Sequence, residues 1–159
     1  MAGVADTSPL IFLAKVNRLT LLPELYREVF IPPAVATELR AKPDRTSSEL
    51  NRFIGSSRVQ APGNTTQVET FLAYLGIGEA EAIALAMEIP DAILIMDDAE
   101  GRRMAQSLGL RVTGLLGVLI EAKVRNLLPA ISPIVDQLVA EGLWLSEAMR
   151  RSVLDAVGE

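Results

Sequence analysis

Residues 92–98 read Ala-Ile-Leu-Ile-Met-Asp-Asp: five apolar side chains in succession, then two carboxylates. An unbroken apolar run of strand length belongs to a strand buried on both faces, as in a parallel sheet covered by helices. The change to Asp97-Asp98 marks the carboxyl end of that strand, where the chain leaves the core. After it, residues 99–107 carry a helical pattern that stops at Gly109. Leu110 to Thr113 is strand-like, and 115–124 is helical again. Before it, Gly76 and Gly78 bracket a break, and an Ala-rich helix is predicted from Glu79 to Glu88.

The same alternation extends to both termini. Gly3-Val4-Ala5 reads as a short buried strand ending at Asp6. Thr7, Ser8 and Pro9 form a helix-start signal, and Leu10, Ile11, Leu13 and Ala14 supply the apolar helix behind it. A second helix is predicted over 19–27. Val29-Phe30-Ile31 is strand-like, and Pro32-Pro33 opens a helix carrying Val35, Glu38 and Leu39. A polar loop over 41–48, a weak helix over 48–55 and a strand near Val59 follow. Ala61 to Thr66 reads as loop and Phe71 to Leu75 as helix. Pro129 and Pro133 punctuate the remainder, which is predicted to hold two helices up to Val157. Strands alternating with helices predict an α/β fold: a parallel sheet of four to five strands flanked by helices, three layers in all. The expected organisation is a single domain over 1–159.

Composition removes many chemistries. The 159 residues contain no Cys and no His. That excludes a disulfide scaffold, a Cys or His zinc site, a thiol nucleophile and a Ser-His-Asp triad. Catalysis must use carboxylates, hydroxyls, Lys, Arg, Tyr or a metal held by oxygen, which selects hard cations such as Mg²⁺ or Mn²⁺. Half the residues are hydrophobic and 22% charged, so the chain is not disordered overall. With only 4% aromatic residues, the core must be built from Leu, Ile, Val and Ala. The net charge of −5 argues against a dedicated duplex-DNA binder. No apolar window is long enough to span a bilayer and no signal peptide is evident, so the expectation is no membrane association and a cytoplasmic location.

The acids fall where an α/β sheet binds ligands. Asp6 ends one predicted strand and Asp97-Asp98 end another, and ligands bind at the carboxyl edge of such sheets. Glu38 lies late in a helix that follows a strand, and Glu79 heads a helix. Carboxylates gathered at one edge repel unless a cation joins them, and such a cation suits phosphoryl transfer. Each acid also has an ordinary reading. Asp6 and the Asp97-Asp98 pair could be helix caps, Glu79 and Glu81 first-turn partners of a helix dipole, and Glu38 a solvated surface residue.

Four segments together resemble the PIN-domain superfamily: VADTSPLIFLA (4–14), VFIPPAVATEL (29–39), LGIGEAEAIALAME (75–88) and ILIMDDAEGRRMAQSLGLRVTGLLGVLIEAK (93–123). The likeness is to small prokaryotic members related to VapC-type toxins. It is specific at 4–16, 29–39 and 76–124, and loose at 41–75 and beyond 130. The resemblance implies a Mg- or Mn-dependent endoribonuclease with Asp6, Glu38, Glu79 and Asp98 as the catalytic acids. Asp6, Glu79 and Asp98 would hold the metal, Glu38 would orient or deprotonate a water, and Ser8, Asp97 and Glu81 would support. Glu79 and Glu81 are about 200° apart on a helix, so both cannot enter one site; Glu79 is preferred because it follows Gly78. Whether Asp97 or Asp98 is the ligand stays open.

Arg102 and Arg103 lie one helical turn after Asp98 and are candidates for phosphate contact, with an ion pair to Glu100 as the ordinary alternative. The stretch 40–58 holds five basic residues, including Arg40 and Arg45, against two acids, which is suited to gripping RNA. The resemblance further implies a homodimer and an antitoxin partner. Two other readings stand beside the nuclease: a PIN fold that binds nucleic acid or a partner without cutting it, and a metal-dependent phosphatase. The phosphatase is disfavoured because Ser8 stands where a haloacid-dehalogenase-like enzyme has a second acid.

Overall fold

The computed structural model describes all of residues 1–159. Its centre is a five-stranded, wholly parallel sheet: β1 (Ala2–Ala5), β2 (Glu28–Ile31), β3 (Arg58–Val59), β4 (Ala92–Ile95) and β5 (Arg111–Thr113). The strands lie in the order β3-β2-β1-β4-β5. Val4 pairs with Phe30 on one side and with Leu94 on the other. Between the strands run α1 (Thr7–Lys15), α2 (Leu21–Leu25), α3 (Pro33–Arg40), α4 (Ser47–Ser56), α5 (Thr65–Phe71), α6 (Ile77–Glu88) and α7 (Ala99–Ser107). After β5 come α8 (Leu115–Val124), α9 (Ser132–Ala140) and α10 (Glu147–Asp155). This is the three-layer α/β/α arrangement expected from the alternation, and the PIN-like fold that the resemblance implies.

The two-residue period of the strands divides the core into two. Ala5, Val29, Ile31 and Ile95 face a cluster of 29 buried residues that also takes in α1, α3 and α8. Val4, Phe30, Leu94 and Met96 face a cluster of 15 that takes in α6. Successive side chains of a strand point to opposite faces, so the buried positions of the inner strands β1, β2 and β4 are apolar or glycine on both faces. Buried Leu, Ile, Val and Ala dominate both clusters.

Three sequence expectations shift. The helix expected over 71–75 is not formed: α5 runs from Thr65 to Phe71 and 72–75 is turn. The helix starts earlier, inside the expected loop, where the Asn64 side chain accepts a hydrogen bond from Gln67 N–H at 3.0 Å, a favoured N-cap. The helix over 19–27 contracts to Leu21–Leu25, because Tyr26 turns extended and Glu28 pairs with Ala2 in the sheet. α6 begins at Ile77 rather than Glu79, with Gly76 as its extended cap.

The topology locates the site. From β1 the chain builds outward through β2 and β3, then crosses back to place β4 and β5 on the other side of β1. The switch therefore falls between β1 and β4, and the crevice beyond their carboxyl ends is where such sheets bind ligands. Asp6 follows β1 directly and Asp97-Asp98 follow β4 by one residue.

Candidate active site at the carboxyl edge

Asp6 is the buried centre of this edge. Its residue is 3% exposed, its N–H donates to Ile95 O at 3.0 Å, and its Oδ1 is buried without a hydrogen-bond partner. The position is that of an N-cap, yet the side chain makes no capping bond. Burial pushes its pKa from 3.8 to about 7; the Thr7 amide pulls it down, and the charges of Glu79, Glu38 and Asp98 push it up. A lone buried carboxylate is costly unless partnered or protonated.

Glu38 comes to Asp6 through Thr7. The Thr7 hydroxyl donates to Glu38 Oε2, fixing the end of α3 to the first residue of α1. The other flank of Glu38 lies against Gly78, where an added Cβ would stand 2.6 Å from Oε1. Gly78 is inside the first turn of α6 because only a residue without a side chain admits this carboxylate.

Glu79 and Glu81 separate. The Glu79 carboxylate folds back over Gly76 and its charge acts on Asp6. Glu81 Oε2 instead accepts from Ala34 N–H at 3.0 Å. Ala34 is in the first turn of α3, whose amides lack partners within their own helix, so Glu81 caps a neighbouring helix.

Asp97 and Asp98 also separate. Asp98 caps α7, its Oδ2 accepting from Gly101 N–H at 2.8 Å, and its charge reaches Asp6. Asp97 Oδ1 accepts from Leu115 N–H at 3.1 Å, tying the end of β4 to the head of α8. The Asp97 residue is open to solvent on one side, but the protein around its carboxyl raises the pKa by desolvation, against the Leu115 amide and Arg102. The edge thus brings Asp6, Glu38, Glu79 and Asp98 into electrostatic contact and directs Asp97 and Glu81 to other helix ends.

Of the remaining named residues, the four arginines have intramolecular partners. Ser8 is exposed, and the hydroxyl that touches an acid is that of Thr7, which sequence reasoning missed. A hydroxyl immediately after Asp6 was the available signal. Arg102 donates to Met96 O at 2.9 Å. Arg103 pairs with Glu100 at 2.5 Å, Arg45 with Glu141, and Arg40 donates to Asn51 Oδ1 at 3.1 Å. The surface pairs are weak and exchange readily for other anions.

As the side chains stand, no group of three or more acids is disposed to hold a metal ion. The donor set is nevertheless that of a hard divalent cation: oxygen only, with one buried carboxylate oxygen lacking a partner. Asp6, Glu38, Glu79 and Asp98 thus gather at the switch point of a parallel sheet, where such sheets bind ligands. A family model described as a PIN domain matches residues 2–159, and the chain belongs to that family. PIN domains are generally nucleases. No curated protein matches this sequence. No helix is long and apolar enough to cross a membrane.

Proposed function

We propose that this PIN domain is a Mg²⁺- or Mn²⁺-dependent endoribonuclease of the VapC-like kind, hydrolysing RNA phosphodiester bonds at the carboxyl edge. The observation that carries the reading is the partnerless, buried Asp6 Oδ1 with three further acids around it. Asp6, Glu79 and Asp98 would hold the ion. When bound, a divalent cation at such a site lowers the pKa of water and stabilises charge on phosphate. Glu38, held by Thr7, orients the attacking water and takes its proton. Arg103, Arg40 and Arg45 can trade their surface partners for RNA phosphates. We further propose that the protein acts in the cytoplasm as a homodimer and is the toxin of a toxin–antitoxin pair. These proposals rest on the resemblance.

The test is cleavage of a single-stranded RNA and of para-nitrophenyl phosphate, each with chelator and with millimolar Mn²⁺. RNA cleavage confined to Mn²⁺, with the small ester untouched, is the expected result. Ester hydrolysis without RNA cleavage would establish the phosphatase instead. Inactivity on both, with RNA still bound, would establish the non-catalytic PIN fold.

A further inference from the structure

Beside the carboxylates, and distinct from them, lies a recess of about 330 Å³. It is lined by Ser8 and Phe12 of α1, Asp97 after β4, Leu116 of α8, Trp144 in the α9–α10 loop and Met149 of α10. Trp144 is the only tryptophan in the chain and is 85% exposed. Met149 is 51% exposed. An indole left in water at the rim of a small apolar recess is a large uncompensated apolar surface.

We propose that this recess is a nucleobase subsite, in which Trp144 stacks on one base of single-stranded RNA and Asp97 reads its edge. The proposal rests on the nuclease reading for the substrate class. Two observations and one general property of unpaired bases favour a base as occupant. The volume is at the small end of ligand pockets, which suits one planar ring. Aromatic stacking is the general means of holding unpaired bases. Two residues that line the recess, Ser8 and Asp97, are chain neighbours of the acids, two residues after Asp6 and one before Asp98. A phosphodiester held at the acids would place a neighbouring base there.

Asp97 gives the subsite a preference. Its Oδ1 is taken by the Leu115 amide, so its other oxygen is left to accept from the base. A carboxylate accepts from exocyclic amines. Adenine, cytosine and guanine carry one; uracil sets two carbonyl oxygens around its single N–H and is repelled. Asp97→Asn must keep its carbonyl oxygen on Leu115 N–H and so turns its NH₂ toward the recess. The variant then favours uracil.

The sole tryptophan makes the test direct. Tetranucleotides of adenylate, cytidylate and uridylate are titrated with chelator present, following Trp fluorescence and, with labelled oligonucleotides, anisotropy. Saturable quenching by adenylate and cytidylate, with uridylate about tenfold weaker, is expected. Asp97→Asn should narrow or reverse that order. Trp144→Ala should weaken anisotropy-detected binding about five- to a hundredfold, and Trp144→Phe should recover most of it. Oligonucleotide binding without quenching, or binding indifferent to Trp144→Ala, overturns the subsite. So does fluorescence that changes only with protein concentration, with Trp144→Ala yielding a monomer, since the occupant is then a second copy. Quenching and base preference without Mn²⁺-dependent cleavage would refute the nuclease reading and leave the subsite standing. Cleavage unaltered by Trp144→Ala, with no quenching, would refute the subsite alone.

Discussion

The hydroxyl of Thr7 donates to the carboxylate of Glu38 across 31 positions of sequence, and this bond joins the two halves of the acidic edge. Asp6 is placed by β1, whereas Glu38 is placed by α3 and needs an anchor to face it. Thr7→Val keeps the shape of the side chain and removes the donor. Cleavage should fall about 10- to 100-fold, the usual loss when a residue supporting a catalytic group is removed. Thr7→Ser should retain most activity. Equal loss in both variants would place the effect in packing.

Glu79 and Glu81 should behave as opposites. Glu79→Gln removes a charge that acts on Asp6 and should abolish cleavage with the fold intact. Glu81→Ala strips the Ala34 amide of its acceptor and should cost about 1.5–3 kcal/mol of stability. The protein that remains folded should still cleave. Urea unfolding and cleavage assays on both variants check this; the reverse pattern would make Glu81 the site residue.

The pKa of Asp6, raised to about 7, sets a pH dependence of stability in chelator. Between its ordinary value of 3.8 and about 7, the folded protein holds a proton that the unfolded chain has released. Stability therefore falls as pH rises through that window and levels above it. Asp97 is raised too and adds in the same direction. Asp6→Asn cannot titrate, so its advantage over wild type should be absent near pH 4 and largest near pH 8. Each kcal/mol should appear as about 2–4 °C in Tm. Thermal melts across pH check it; a constant offset between the two proteins would contradict it.

Asp98→Asn probes the proposed divalent site from the other strand. Asn caps a helix as well as Asp does, so the bond to Gly101 N–H survives while one repelling charge is lost. The variant should melt higher than wild type in chelator. Millimolar Mn²⁺ should raise the wild-type Tm, because a ligand bound only by the folded state stabilises it, and should raise the variant less. Equal responses would remove Asp98 from the ligands.

Much of this architecture was legible because burial on both faces makes β1 and β4 continuously apolar. Ala92 to Met96 could be little else, and Asp6 and Asp97-Asp98 marked where two strands end. What was not legible was set by contacts between distant segments. The role of Glu81 depends on Ala34 N–H, 47 positions away, and no helical-wheel argument contains that amide. Thr7 rather than Ser8 reaches Glu38 because α1 begins at Thr7 and directs its first side chain across the edge. In the run of Phe71 to Leu75 only Phe71 and Leu75 are buried, and the helix that begins after the Asn64 cap ends at Phe71. Arg102, by sequence a candidate for phosphate contact or an ion pair with Glu100, donates to the Met96 carbonyl.

The central claim is that the Asp6 carboxylate is required for metal-dependent RNA cleavage, and one assay tests it directly. Wild type and Asp6→Ala are purified identically and free of contaminating nuclease. Both are shown to be folded by circular dichroism and incubated with single-stranded RNA in Mn²⁺ and in chelator. The expected result is cleavage by wild type in Mn²⁺ alone and none by Asp6→Ala in either buffer. Cleavage by Asp6→Ala at the wild-type rate would contradict the assignment of the carboxyl edge as the active site.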